Sequence, residues 1–142
     1  MEKENTTKIH EFDSVIYPFR LWVMSNPTKD FLKENFFCMN PSTKGYWDFE
    51  DNDIPSSKIC YAVTVPVKNK KSKKNGALVM LLDTKGFNIA MAAHVASHVC
   101  DILADYLELN VIKSFSETGE ARAYVIEWAI NCINKVKNNK IK

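Results

Sequence analysis

A chain of 142 residues, 46% hydrophobic and 25% charged, has the composition of one globular domain with enough apolar residues to bury a core. Its formal net charge of +2 gives no overall electrostatic reason to expect a nucleic-acid partner, and no apolar run approaches the roughly 20 residues of a membrane helix. Met1–Asn5 is polar and has no apolar core of a secretory signal. The four cysteines, Cys38, Cys60, Cys100 and Cys132, lack CxxC spacing, and so are expected as buried free thiols rather than a disulfide or a zinc cluster.

In chain order, residues 1–14 are expected to form a flexible N-terminal arm, residues 15–137 a single domain, and residues 138–142 a fraying basic tail. Val15 to Met24 is β-branched and aromatic and reads as a strand, with Pro18 favouring an edge or a bulge. Asn26–Pro27 ends it. Thr28 to Phe37 reads as a short helix with Thr28 as N-cap and Phe31, Leu32 and Phe36 as its apolar side. Residues 40–58, with Pro41, Gly45, Pro55 and the acids Asp48, Glu50, Asp51 and Asp53, read as an irregular loop. Cys60 to Val67 and Ala77 to Asp83 read as strands, the second apolar enough to be buried on both faces. The lysine-rich segment 68–74 between them predicts a solvated hairpin tip, with Asn75–Gly76 supplying positive φ angles.

Phe87 to Leu109 is the longest predicted helix, with Asn88 as cap. Ala92, Val95, Val99, Ile102 and Tyr106 repeat at helical spacing on one side; His94, His98, Asp101, Asp105 and Glu108 repeat on the other. A last helix opens at Glu117 or Thr118 and runs to about Val136, burying Val125, Ile126, Ala129, Ile130 and Ile133; Arg122 and Glu127 read as surface groups. Strands and helices are grouped rather than alternating. The expected class is therefore α+β: a small, mostly antiparallel sheet packed against a long helix and a C-terminal helix.

The residues that carry chemistry are His94 and His98. Spacing of i and i+4 puts both imidazoles on one helix face, where they can share a metal ion. Glu120, 22 residues after His98 and near the start of the next helix, is placed to turn back as a third ligand. Asp101, one turn beyond His98, is placed to orient a histidine from outside the ligand set. In HExxH zinc peptidases the residue after the first histidine is the glutamate that takes a proton from metal-bound water; here it is Val95, which cannot. The polar face of any amphipathic helix would also present these residues, so the pair alone does not establish a site.

The stretch His94-Val-Ala-Ser-His98-Val-Cys-Asp-Ile-Leu-Ala-Asp-Tyr, followed by Gly119-Glu120-Ala-Arg-Ala-Tyr124-Val-Ile-Glu-Trp128, resembles the small gluzincin-type domains of bacteriophages. Those carry a His-Glu-x-x-His helix and then a Glu-x-x-Ala-Tyr helix. Tyr17-Pro18-Phe-Arg-Leu-Trp22-Val resembles their N-terminal strand. The resemblance spans most of residues 15–136. It implies a zincin-like fold, zinc on His94, His98 and Glu120, and an edge strand ahead of the histidine helix that pairs with substrate; the strand beginning at Ala77 stands in that place. Val95 departs from the pattern and implies a catalytically degenerate protein that acts by binding. The expected role is a structural component of the virion, in the neck or tail, contacting itself or other phage structural proteins. The alternatives are a zinc-dependent peptidase-like hydrolase and a small regulator of a host protein. The corresponding location is the virion or the host cytoplasm, with no membrane and no nucleic-acid partner expected. Among the aromatics Trp22, Phe31, Phe36, Phe37, Tyr46, Trp47 and Phe49, most are expected in the core, and Tyr46, Trp47 and Phe49 form an aromatic, acidic loop suited to docking.

Overall fold

The computed structural model describes residues 7–14, 17–53, 61–107 and 120–138, and the class is α+β. In chain order the elements are β1 (Lys8–Asp13), β2 (Arg20–Ser25), α1 (Lys29–Asn35), β3 (Phe36–Met39), β4 (Tyr46–Asp48), β5 (Ala62–Asn69), β6 (Asn75–Leu81), α2 (Ile89–Tyr106) and α3 (Glu120–Lys137). The six strands make one sheet in the order β1-β2-β6-β5-β3-β4. Only β2 and β6 run parallel; the other neighbours are antiparallel.

The run Ala77 to Leu81 is apolar because β6 lies in the middle of this sheet, covered on both faces. Ala77, Val79 and Leu81 face one way, together with Leu21 and Val23 of β2, and pack under α2 and α3. Leu78, Met80, Trp22 and Met24 face the other way and pack against Leu32 of α1, Phe36, Val67 and Phe49. Both predicted caps are present: Thr28 Oγ1 accepts from the Phe31 N–H at 3.2 Å, and Asn88 Oδ1 accepts from the Met91 N–H at 3.0 Å.

Several local expectations are corrected. Residues 8–13 are not a loose arm; they form edge strand β1, because Ile9 and Phe12 point to opposite faces and each adds to one of the two cores. The predicted helix over 28–37 ends at Asn35, and Phe36 turns extended to start β3, where pairing with β5 and burial of Phe36 and Cys38 in the core beside α1 outweigh helical continuation. The loop over 40–58 contains β4 and a 3-10 turn at Asp51–Asp53. Phe49 is buried and is no docking residue, whereas Tyr46 and Trp47 are exposed.

The hairpin exists, but Asn75–Gly76 does not make its turn. Asn69 Oδ1 accepts from the N–H groups of Lys71 and Ser72, and Lys73 takes the left-handed conformation at φ 65°. The β3–β4 turn repeats this device: Asn40 Oδ1 accepts from Ser42 and Thr43, and Lys44 sits at φ 65°. Gly76 is needed for a different reason. A Cβ there would stand 1.9 Å from the Arg20 carbonyl oxygen of β2.

The strand ahead of the histidine helix is likewise not an edge. β6 is hydrogen-bonded by β2 on one side and β5 on the other, which leaves no free backbone for a substrate.

Candidate functional site

His94, His98, Asp101 and Asp105 lie along one stripe of α2, at the successive four-, three- and four-residue steps that keep a helical row in line. The next stripe round, Val95 and Ile102, points down at β5. Between them the helix and β5 enclose a groove of about 390 Å³, with Ala62, Thr64 and Pro66 on its strand wall. A second hollow of about 220 Å³ continues it toward Tyr61, Phe87 and Met91, sharing Ala62, His94 and Val95.

His94 and His98 are both exposed at the rim. Their Nε2 atoms are 3.2 Å apart and their rings meet edge to face. With both rings neutral, one Nε2–H donates to the other nitrogen; with both rings protonated, two N–H groups would confront each other. The separation also fits chelation: two Zn–N bonds of about 2.0–2.1 Å meeting near the tetrahedral angle place their nitrogens about 3.3–3.4 Å apart. The donor set and the spacing therefore suit zinc, for which the pair supplies two ligands. Among the described residues no group of three or more His, Cys, Asp or Glu is gathered closely enough to hold a metal ion. Glu120 is the first residue of α3, and its side chain lies outside the described residues.

Val95 is 4% exposed and forms part of the floor of the groove as well as of the core under α2. The position directly after His94, a glutamate in the HExxH pattern, is thus taken by an apolar side chain with packing partners.

Arg122, expected as a surface group, is instead half-buried and clasps α3 to α2. Its Nη1 donates to Asp101 Oδ1 at 3.1 Å and to Cys100 Sγ at 3.6 Å, and its Nη2 donates to Ser97 Oγ at 3.3 Å. Asp101 is therefore held by Arg122, while the two histidines are hydrogen-bonded to each other. Burial pushes the Cys100 thiol up, partly offset by the Arg122 guanidinium. Cys38, Cys100 and Cys132 are free and buried; Cys60 lies outside the described residues.

Sequence reasoning missed the strand wall of the groove. The Lys70 N–H donates to the Asn35 carbonyl on the β3 side, whereas the Asn69 N–H donates to Lys74, and the Leu82 N–H reaches the Tyr61 carbonyl, both on the β6 side. Backbone groups alternate along a strand, so those of Ala62 and Thr64 point away from β6. β3 pairs with β5 only from Val67 to Asn69, and among the described residues no strand pairs with 62–66 on that side. Thr64 Oγ1, in the wall of the groove, is buried and has no hydrogen-bond partner among the described residues. The signal was Pro66: a proline inside a strand must turn its missing N–H to an unpaired side. Among the described strands the open edge beside the histidines is thus on β5, not on β6.

Among the described residues no helix is long and apolar enough to cross a membrane. No protein-family model, curated protein or solved structure matches this chain.

Proposed function

We propose that this chain is a catalytically degenerate, zincin-like bacteriophage protein that works by binding, as a structural component of the virion such as its neck or tail. The observation that carries the loss of catalysis is Val95, packed into the groove floor where the family pattern has a glutamate. The phage assignment rests on the resemblance of residues 94–106 and 119–128 to gluzincin-type phage domains. The binding surface is the groove between α2 and β5, where the backbone of Ala62 and Thr64, unpaired on that side among the described residues, can accept an extended segment of a second copy or of another structural protein.

Zinc is proposed on His94 and His98, with Glu120 completing the set. Bound there it would polarise a coordinated oxygen. Val95 stands at the position that the family pattern gives to the base. The rival reading, a zinc-dependent hydrolase, is favoured by the 3.2 Å Nε2 separation, which suits a metal clamp.

Metal content and activity separate the two. One zinc per chain that is lost in His94→Ala, with no peptidase activity, supports the degenerate reading. Peptidase activity in the wild type that needs the zinc establishes the rival. No zinc after incubation with excess metal removes zinc from both. Val95→Glu restores the missing base and is expected to raise any zinc-dependent hydrolysis by about 10²–10⁴. Quantitative mass spectrometry of purified virions tests the setting: a structural component appears in a fixed copy number, whereas a host-directed regulator is absent.

A further inference from the structure

Outside the groove, the structure gathers three lysine–aromatic pairs on one open patch of sheet. Lys68 Nζ lies 4.8 Å from the centre of the Tyr46 ring, Lys70 Nζ 4.7 Å from Phe37, and Lys44 Nζ 4.8 Å from Tyr106. The placement follows from register. Phe37 is paired with Lys68, and Met39 with Tyr46, and directly paired residues share a sheet face. That face is the one α2 covers further along, because Ala62 packs into the core under α2 while Val63 and Val65 pack into the other core. Beyond Tyr106, where α2 ends, no described element covers this face, and the Tyr46 ring stands 53% exposed, 4.8 Å from the ring of Phe37.

Among the described residues the charge on this patch is mainly positive. Lys71, Lys73 and Lys74 of the β5–β6 turn are exposed beside it. The acid within it, Asp48, is paired with Lys70 at 2.8 Å, and Asp105 lines the neighbouring groove. A net charge of +2 thus conceals a segregated surface.

We infer that this face binds single-stranded nucleic acid, with a base stacking on Tyr46 and phosphates meeting Lys44, Lys68 and the turn lysines. An exposed cation–π pair is weak, so Lys68 can leave the Tyr46 ring for a phosphate while a base takes its place. The aromatic rings favour this partner over an acidic protein, which would need the lysines alone. The inference is independent of the α2–β5 groove and of any metal.

The test is fluorescence anisotropy of the full-length chain with a labelled 12-nucleotide oligothymidylate, from 50 to 200 mM KCl, beside a labelled decaglutamate peptide. Binding of the oligonucleotide is expected to weaken with salt by a slope of about −0.7 for each lysine that reaches a phosphate, and Lys68→Ala lowers the slope by about that much. Tyr46→Ala weakens binding at least about fivefold, whereas Tyr46→Phe, which keeps the ring, stays within about twofold of wild type. Unchanged thermal melting of the Tyr46 variants shows that the fold is intact. Absence of binding at 50 mM KCl, decaglutamate binding as tightly as the oligonucleotide, or indifference to Tyr46→Ala overturns the inference.

Discussion

Replacing Gly76 by alanine tests the central feature of the sheet, the parallel junction of β2 and β6. The added Cβ would sit 1.9 Å from the Arg20 carbonyl oxygen, with the carbonyl carbon at 2.7 Å and the Arg20 nitrogen at 2.9 Å. All three obstacles are backbone atoms, so no rotamer change relieves them. Restoring an ordinary contact needs a separation of more than about 1 Å, which would stretch the adjoining ladder hydrogen bonds past their useful length. Overpacking of a rigid interior costs about 1–3 kcal/mol, and this case belongs at the top of that range. The loss of glycine's freedom in the unfolded chain offsets about 0.4–1 kcal/mol. The net is a destabilisation of about 2 kcal/mol, or a Tm lower by about 6–8 °C for a domain of this length. Gly45→Ala is the control: the nearest heavy atom to its added Cβ is Thr43 Oγ1 at 3.5 Å, and its φ is not in the left-handed region. It should leave the Tm unchanged or raise it slightly. Urea and thermal unfolding followed by circular dichroism measure both variants. If Gly76→Ala melts within a degree of Gly45→Ala, the register that sets Gly76 against Arg20 is refuted.

The remaining predictions concern α2, α3 and the thiols. Arg122→Ala, which removes the clasp to Asp101 and Ser97, should cost about 1 kcal/mol, and a double-mutant cycle with Asp101→Ala should give a coupling of about 0.5 kcal/mol that shrinks in 1 M NaCl, since the pair is partly exposed. Burial pushes the thiols of Cys38 and Cys132 from the ordinary 9.0 up to about 11. An unfolded chain releases these protons first, so both groups contribute stability that is fully present below about pH 9 and is lost as pH rises toward about 11; urea midpoints measured across that window should fall. For the same reason Cys38, Cys100 and Cys132 should resist iodoacetamide at pH 8 in the folded protein and alkylate on unfolding, as read by peptide mass spectrometry. Rapid native alkylation of Cys132 would contradict its burial.

Features decided within a turn or two of chain were legible without coordinates. Thr28 and Asn88 cap helices because a short side-chain oxygen reaches an N–H three residues on, whatever the fold. The helical stripe of α2 and the apolar run of β6 were equally plain, because burial on one face or on two leaves its own periodicity. β1 escaped notice because its alternation serves two different cores and so looks merely mixed. Phe36 and Phe37 read as a helix end because two apolar neighbours suit either state until a partner strand is known. In the candidate site, the histidine spacing was visible, and so was the valine directly after His94. The clasp of Arg122 on Asp101 was not, since residues 21 apart meet only when α3 folds against α2.

The sequence by itself thus determined the α+β class, the two long helices, the caps at Thr28 and Asn88, and the histidine pair with Val95 beside it. All depend on spacing along a single element, where chain geometry permits few alternatives. Tertiary structure decided which of the described strands is central and which has an open edge, and so moved the edge beside the histidines from β6 to β5. It also drew the lysines of two separate turns and three aromatic rings onto one face. Strand order and charge segregation depend on contacts between distant segments, which composition averages away and periodicity does not record.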